Sequence, residues 1–392
     1  MSTLPTSALP VPDAEAQAHS LQLTSFIQDK INQHDGWLSF ADFMQMALYT
    51  PGLGYYSGGV KKFGTGGDFV TAPEISPLFA QTLANQVAQV LAQTQGDILE
   101  LGAGTGKLAK DLLLTLQDAN QLPAHYFILE VSAYLRQVQL EQMQKYLPAH
   151  LMQRVVWLDA LPENFVGLIL GNEVLDAIPV HLIYKPRADS SSGLSERGVA
   201  FNEQFIWRDK PLVAGGLLDL VSSYALPTDY LTEVNPSAIG LVQSLAQALA
   251  HGIIIMIDYG FSAREYYHPQ RNLGTLMCHY QHYAHTNPLI NVGLQDITAH
   301  VDFTSIAHAG VGSGLALAGF CSQAQFLMNC GILDRLSQVS PHDMARYAPL
   351  AAAAQKLLSP AEMGDLFKVI ALSKNVDEPL LGFSSGDKSH TL

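Results

Sequence analysis

Cysteine is scarce in this chain, and its few copies are not spaced as a redox pair or a zinc ligand set. Cys278, Cys321 and Cys330 form no Cys-x-x-Cys pair, so we expect reduced, buried thiols rather than a disulfide framework. A loose histidine group comprises His279, His282 and His285. No His-Glu-x-x-His motif accompanies it, so we interpret these histidines as polar residues of the surface or a substrate cleft and predict no bound metal.

Positive charge and long apolar runs are also scarce. The chain has 21 Lys and Arg against 35 Asp and Glu, a net charge of −14, which disfavours a nucleic-acid partner and favours a basic or neutral substrate. The apolar run at 253–257 is too short to span a bilayer. Residues 1–20 contain no Lys or Arg and no continuous apolar core, so we expect neither a signal peptide nor membrane insertion, and a location in the bacterial cytoplasm.

What the chain does have is a glycine-alternating turn between an apolar run and an amphipathic helix at 98–108. Its glycine spacing puts Lys107 where a dinucleotide fingerprint has its last glycine, which argues against NAD. Glu100 would repel phosphate but suits an ammonium or sulfonium group. We therefore predict a nucleoside site without pyrophosphate, although many such turns are ordinary strand-to-helix connections. The candidate cofactor residues here are Glu100, Gly102, Ala103, Gly104, Thr105 and Gly106.

Further cofactor candidates follow later strands. Glu130 ends the apolar run 126–129, where a carboxylate accepts hydrogen bonds from ribose hydroxyls; capping of a helix near Ser132 is the alternative. Asp159 and Ala160 follow a third predicted strand, where an adenine-contacting loop would lie, and Asp159 serves equally as an ordinary loop acid. Three more residues complete the predicted cofactor site: Pro73, Val131 and Asn172.

The order of elements predicts an α/β fold with a doubly wound sheet and one antiparallel edge strand, built from five strand–helix units and two closing strands. We expect a mobile leader at 1–20 and a helical N-terminal part with a cofactor-covering loop at 21–96. The sheet domain spans 97–374. It carries an inserted β-hairpin segment at about 181–235 and a substrate-side loop at about 261–304, and a tail at 375–392 follows it.

Five motifs as a set resemble the MidA-like family of class I S-adenosylmethionine (SAM) methyltransferases. They lie at 67–76 (GDFVTAPEIS), 100–106 (ELGAGTG), 171–180 (GNEVLDAIPV), 257–260 (IDYG) and 296–303 (DITAHVDF). The resemblance covers about residues 20–374. It implies the class I methyltransferase fold, SAM as cofactor, and an extra helical N-terminal part with an inserted segment. The mitochondrial branch of the family is linked to respiratory complex I assembly and to methylation of protein arginine, which implies an arginine acceptor in a protein substrate.

Carboxylates are the candidates for handling that acceptor. An arginine guanidinium is always protonated in water, so carboxylates must hold it and help one nitrogen lose a proton. We predict Glu173 as the principal orienting carboxylate, with Asn172 and Asp176 assisting; helix capping is the alternative for all three. Glu74 and His300, or Asp302, are second candidates, and Pro73 with Glu74 would equally start the following helix.

The sequence is also compatible with three other functions. A small-molecule methyltransferase would need a closed, apolar pocket rather than an acidic groove. A SAM-binding assembly factor for a respiratory complex, without catalysis or weakly catalytic, would tolerate changes at Glu173 and Asp176. A nicotinamide oxidoreductase is disfavoured by the position of Lys107.

Overall fold

A computed structural model of the chain describes residues 9–58, 71–187, 189 and 193–392. Residues 67–70 of the first motif and the start of the predicted leader lie outside this range. The described chain forms two compact units. One, here the N-terminal unit, contains the residues up to Gly58 together with Asp176–Ile239 and Ala263–His300; the other, here the sheet unit, contains 71–175, Gly240–Ser262 and Val301–Leu392.

Local sequence signals set the helix starts. Ser39 and Ser76 each cap a helix, accepting hydrogen bonds from the amides of Asp42 and Leu78, and Pro77 occupies a first helical position. The helices are α1 (Ala14–Gln33), α2 (Phe40–Tyr49), α3 (Ala72–Ile75), α4 (Pro77–Thr94), α5 (Lys107–Asp118), α6 (Ala133–Tyr146), α7 (Ala149–Met152), α8 (Gly216–Ser222), α9 (Pro236–Ala248), α10 (Ala263–Tyr266), α11 (Phe303–Gly312), α12 (Gln323–Asn329), α13 (Ile332–Ser337) and α14 (Met344–Leu358). Within the described residues, each helix is too short or too polar to cross a bilayer.

The strands divide among three sheets. They are β1 (Leu38–Ser39), β2 (Asp97–Leu101), β3 (Tyr126–Leu129), β4 (Val155–Leu158), β5 (Phe165–Asn172), β6 (His181–Lys185), β7 (Ser195–Asn202), β8 (Gln204–Pro211), β9 (Tyr230–Val234), β10 (Leu249–Phe261), β11 (Met277–Tyr280), β12 (Tyr283–His285), β13 (Asp296–Thr298), β14 (Val301–Asp302), β15 (Ala316–Ser322) and β16 (Phe367–Lys374). The largest sheet belongs to the sheet unit and the two smaller ones to the N-terminal unit.

The large sheet confirms the predicted fold class. Its order is β15-β16-β10-β5-β2-β3-β4, with β14 beside the end of β10, and β10, β5, β2, β3 and β4 run parallel. The antiparallel strand is β16, which lies one place in from the edge because β15 covers its outer side. Strands β3 and β5 flank β2 on opposite sides, so the carboxyl end of β2 is a topological switch point, where such sheets bind ligands.

The two smaller sheets revise the expected insertion and loop. Strands β6 and β7 pair antiparallel as predicted, but β1, β8 and β9 extend them into a five-stranded sheet. The chain turns at Glu203 (φ 61°), so β7 and β8 form a second antiparallel pair beyond the expected hairpin. The loop expected at 261–304 contains the three-stranded sheet β12-β11-β13. Its strands have only three or four residues, too few to show a period in the sequence.

Residues expected to be terminal extensions take part in the fold. Helix α1 begins at Ala14, capped by Asp13, and therefore includes the second part of the predicted leader. At the other end, 3-10 turns at Leu381–Phe383 and Ser389–Thr391 follow β16. Gln86 on α4 accepts a hydrogen bond from the Gly382 amide, and Phe383 packs on Phe326 of α12 with ring centroids 5.4 Å apart. The segment 375–392 thus supplies part of the core of the sheet unit.

We expect Phe383→Ala to lower the free energy of unfolding by about 3–5 kcal/mol, the usual cost of emptying a buried aromatic site. Its ring lies directly on the backbone of β15, since a Cβ added to Gly319 would come within 2.3 Å of the ring. Urea unfolding followed by circular dichroism measures the change, with Val311→Ala on the exposed side of α11 as control. Equal stability of the two variants would show that the C-terminal segment adds nothing to the core.

Candidate functional site

The glycine turn after β2 needs glycine for its backbone conformation. Gly102, Gly104 and Gly106 have φ values of 58°, 53° and 81°, a left-handed region that other residues enter at a cost. At Gly104 an added Cβ would meet nothing within 4 Å, so conformation rather than crowding requires glycine there. Gly106 caps α5 without a side-chain acceptor for the first amides of the helix. Those amides are donors for a ligand at the turn.

The Glu130 carboxylate is tied to this turn through Gln139, a fully buried residue of α6. Gln139 Nε2 lies 3.0 Å from both the Gly104 carbonyl oxygen and Glu130 Oε2, and Gln139 Oε1 accepts from the Trp157 indole at 2.9 Å. Glu130 Oε1 accepts from the Ser132 amide at 2.9 Å. Burial raises the pKa of Glu130, opposed by these hydrogen bonds. The ends of β2 and β3 are therefore joined in one hydrogen-bond network.

Glu100 is buried on β2 beneath the turn. Its Oε2 accepts a hydrogen bond from the Tyr126 hydroxyl of β3 at 2.8 Å. Burial, and to a smaller degree the charge of Glu130, raise the pKa of Glu100 from its usual 4.5 to about 7, while the Tyr126 hydrogen bond lowers it. Glu100 therefore changes charge near neutral pH, so a cation bound nearby would stabilise its ionised form.

The residues predicted to contact adenine are the most exposed of the group. The Asp159 side chain is 92% exposed and pairs with Arg136 at 2.8 Å, and Ala160 beside it is exposed. Val131, which follows Glu130, is 82% exposed. Arg136 Nε also donates to the Glu130 carbonyl at 2.8 Å. Arg136 therefore links the segment that follows β3 to the segment that follows β4. An exposed apolar side chain beside a buried carboxylate is a surface that a flat ring can cover.

At the end of β5 the structure brings Asn172 and Glu173 together. Asn172 Nδ2 donates to Glu173 Oε1 at 3.0 Å. Glu173 itself has φ 54°, in the left-handed region. The Asn172 side-chain oxygen is buried and has no hydrogen-bond partner within the described chain. Buried polar atoms are nearly always partnered, so Asn172 Oδ1 is a candidate acceptor for a ligand hydrogen.

Residues 71–76, which follow the part of the predicted cofactor-covering loop that lies outside the described range, lie at the same edge of the sheet. Glu74 on α3 accepts a hydrogen bond from the Thr105 hydroxyl of the glycine turn at 2.5 Å. The Ala72 amide, at the start of α3, donates to Glu173 Oε1 at 3.4 Å, and Pro73 is buried. The predicted residues Pro73, Glu74, Thr105, Asn172 and Glu173 therefore lie around one end of the sheet unit.

Two predicted acceptor residues belong to the N-terminal unit. The Asp176 carbonyl oxygen accepts from the Ala299 amide at 3.0 Å, which brings Asp176 beside the residue that precedes His300. The His300 amide donates to the Thr275 hydroxyl at 3.0 Å. Asp302, the alternative to His300, lies in the sheet unit and caps α11 through the amides of Thr304 and Ser305. Asp302 thus serves as a helix cap.

The histidine group lies on the small sheet of the N-terminal unit. His279 is on β11 and His285 on β12, and burial lowers the pKa of both, that of His279 to about 4. His282 is in the turn between the two strands, with φ 68°. No three metal-ligating side chains come together anywhere in the described ranges.

Sequence reasoning missed Gln139 and Asp258. Gln139 lies four residues before the buried Met143 on one face of α6, a spacing that marks the face but not the glutamine's partners. Asp258, whose side chain is buried, accepts hydrogen bonds from the amides of Val174 and Leu175. It lies near the end of an apolar strand, the pattern that identified Glu130. That signal could have found it.

The switch-point sheet, the glycine turn after β2 and the carboxylate after β3 define a nucleoside-binding α/β fold of the class I methyltransferase type. Residues 81–321 match a family model described as S-adenosyl-L-methionine-dependent methyltransferase. The chain belongs to this family. The predicted MidA-like relationship is confirmed, and the chain is a SAM-dependent methyltransferase.

Known proteins that resemble the chain agree with this result. The mitochondrial protein arginine methyltransferase NDUFAF7 of Danio rerio is 28% identical, covering 86% of this chain and 83% of the relative. The Caenorhabditis elegans homolog is 27% identical, covering 94% and 91%. A crystal structure of a COG1565 superfamily member from Burkholderia thailandensis, bound to S-adenosyl-homocysteine, is 47% identical with a TM-score of 0.93, covering 98% of this chain and 100% of that one. The SAM cofactor is thereby confirmed, and the nicotinamide alternative is set aside.

Glu100→Gln is expected to raise the free energy of unfolding relative to the wild type, and to do so more at pH 8 than at pH 5. A carboxyl group whose pKa is raised on folding favours the fold while protonated, and this contribution is lost as pH rises from about 4.5 to about 7. Gln cannot ionise, so the variant gains on the order of 3 kcal/mol over the wild type across this window. Urea unfolding at both pH values tests this, with the exposed Glu141→Gln as control. The same difference in unfolding free energy between Glu100→Gln and wild type at pH 5 and at pH 8 would contradict this prediction.

Gln139→Met is expected to weaken S-adenosyl-homocysteine binding roughly ten- to hundred-fold, because Gly104, Glu130 and Trp157 lose their shared partner. Isothermal titration calorimetry gives the affinity. Gln137→Met is the matched control, since Gln137 is exposed on the same helix and its side chain donates to Glu141 at 2.7 Å. Equal affinities for the two variants would show that the network does not shape the cofactor site.

Proposed function

We propose that this protein transfers the methyl group of SAM to arginine side chains of a protein substrate. One observation of the site carries the proposal: the carboxylate of Glu173 lies beside the side-chain amide of Asn172 at the carboxyl end of β5, and the oxygen of that amide has no hydrogen-bond partner among the residues that the structure describes. Both are acceptor atoms suited to a cationic N–H group. The mitochondrial relatives named as protein arginine methyltransferases support the choice of acceptor.

The cofactor residues fit a nucleoside carrying a sulfonium. A carboxylate has about four lone-pair sites, and Glu130 accepts hydrogen bonds from the Ser132 amide, the Gln139 side chain and the Val131 amide. Glu130 thus keeps an acceptor site for a ribose hydroxyl. SAM supplies an activated methyl group, and the chain's residues bind and orient it: the turn Gly102–Gly106 through its backbone, Glu100 through negative charge, and Val131, Asp159 and Ala160 at the adenine side.

Acceptor handling falls to the acidic edge of β5. An arginine guanidinium is always protonated in water, so it needs carboxylates that pair with its N–H groups and favour loss of one proton as the nitrogen attacks. Glu173 would orient it, Asn172 Oδ1 would accept a further N–H, and Glu74 would contribute charge from α3. Asp176 and His300 stay predicted contacts of the acceptor. A location in the bacterial cytoplasm also stays a prediction.

Glu173→Gln is expected to lower the methyl-transfer rate at least about a hundredfold, because the neutral amide keeps the shape but removes the proton-accepting charge. SAM affinity should stay within about twofold, since all the cofactor candidates except Pro73 and Asn172 lie on or after β2, β3 and β4. The reaction uses labelled SAM and an arginine-containing peptide pool, beside the same peptides with lysine in place of arginine. Mass spectrometry identifies the methylated residue, and Glu141→Gln is the control.

The outcomes separate the candidate functions. Methylarginine formed by wild type and lost with Glu173→Gln supports the proposal. Equal methylation of the lysine pool would overturn arginine specificity. SAM binding without methylation of either pool would favour a small-molecule acceptor or a binding factor, and wild-type rates in Glu173→Gln would remove this carboxylate from the chemistry.

A further inference from the structure

Asp258 is a buried carboxylate whose hydrogen bonds converge on the turn that follows β5. It is 1% exposed and lies near the end of β10. Its Oδ2 accepts from the amides of Val174 at 3.1 Å and Leu175 at 2.8 Å, and its Oδ1 accepts from the Tyr259 amide at 2.8 Å. Removing a carboxylate from water is costly unless such donors replace the solvent. The position of Asp258 is therefore matched to these amides.

The same turn is held on its other side by backbone. The Glu173 amide donates to the Ile257 carbonyl at 2.9 Å, and Asn172 pairs with Ile257 in the sheet. Just before it, β5 and β10 approach so closely that a Cβ on Gly171 would come within 2.5 Å of the Met256 sulfur. Three successive amides, of residues 173–175, are thus bound by residues 257 and 258.

The residue inside this turn is strained. Glu173 has φ 54°, a conformation that costs a residue with a Cβ about 1–2 kcal/mol and persists only when its surroundings impose it. The hydrogen bonds that the amides of the turn donate to Ile257 and Asp258 supply that constraint. Without Asp258, the amides of Val174 and Leu175 would be free to rotate, and Glu173 could relax toward a negative φ.

We propose that Asp258 is a positioning residue for the methyl-transfer reaction: by clamping the turn 173–175 it fixes Asn172 and Glu173 at the acceptor side of the sheet. The role of those two residues rests on the proposed function, whereas the clamp itself does not. Asp258 acts through the turn, and its Oδ2 is directed to the amides of Val174 and Leu175.

Hydrogen exchange tests the clamp without an acceptor. In the full-length Asp258→Asn variant, the amides of Val174 and Leu175 should exchange roughly ten- to hundred-fold faster, the usual effect of losing hydrogen bonds to a charged group. Asp387→Asn is the matched control, because Asp387 also accepts from backbone amides of the sheet unit, those of Phe320 and Ser389. Unchanged protection at Val174 and Leu175 in Asp258→Asn would overturn the proposal.

Steady-state kinetics test the consequence for the reaction. Asp258→Asn should lower kcat roughly ten- to hundred-fold, the effect of slight misplacement of a reacting group, with the SAM dissociation constant within about twofold. The double variant Asp258→Asn/Glu173→Gln should be no slower than Glu173→Gln alone, because both changes act through one carboxylate. Additive losses, or wild-type kcat in Asp258→Asn, would overturn the positioning role and leave a purely structural one.

Two further measurements distinguish the loss of the clamp from a folding defect and from a wrong choice of acceptor. If Asp258→Asn fails to fold, Glu173→Gly decides: glycine accepts positive φ, so this variant should unfold at no lower temperature than wild type if the clamp imposes strain. A clear loss of stability would overturn that view. If arginine transfer is absent from wild type, the exchange result still tests the clamp, so the two proposals fail independently.

Discussion

Much of this structure depends on how buried carboxylates are satisfied in a chain with few basic residues. Glu100 is bonded by a tyrosine hydroxyl, Glu130 by a backbone amide and a glutamine, and Asp258 by three backbone amides. Neutral donors compensate for lost hydration but leave the negative charge in place. Glu130, and Glu100 when it is ionised, thus give the ends of β2 and β3 a negative potential. That potential favours a sulfonium cofactor, and with Glu74 and Glu173 it favours a cationic acceptor.

The same device organises the N-terminal unit. Glu233 on β9 is buried; its Oε1 accepts from the amides of Thr275 and Leu276, and its Oε2 from the hydroxyls of Thr275 and Tyr266. Thr275 in turn accepts from the His300 amide. A carboxylate from the inserted segment therefore fixes two parts of the later loop. This unit is assembled from three separate stretches of chain, and the buried carboxylate of Glu233 connects the last two.

The sequence was sufficient for features that depend on local chemistry. The glycines of the turn mark positive φ, Ser39 and Ser76 mark helix starts, and near-continuous apolar runs at 167–171 and 253–257 mark strands covered on both faces. The position of a carboxylate directly after a strand made Glu130 and Glu173 candidates for the site. The rest depends on partners distant in sequence: Gln139 matters because Gly104 and Trp157 face it, and Phe383 because Gly319 leaves space for its ring. No periodicity in one segment reveals such pairings, which is why the C-terminal segment looked like a tail.

Glu173 shows how stability and function diverge at one position. A backbone with φ 54° suits glycine or asparagine, so a sequence serving the fold alone would have one of these here. Glutamate instead costs about 1–2 kcal/mol, and the neighbouring strand must supply Ile257 and Asp258 to hold the turn. Local conflicts of this kind concentrate at functional sites. The conflict is resolved if the carboxylate itself is needed at the end of β5, since neither glycine nor asparagine can hold and deprotonate a cationic acceptor there.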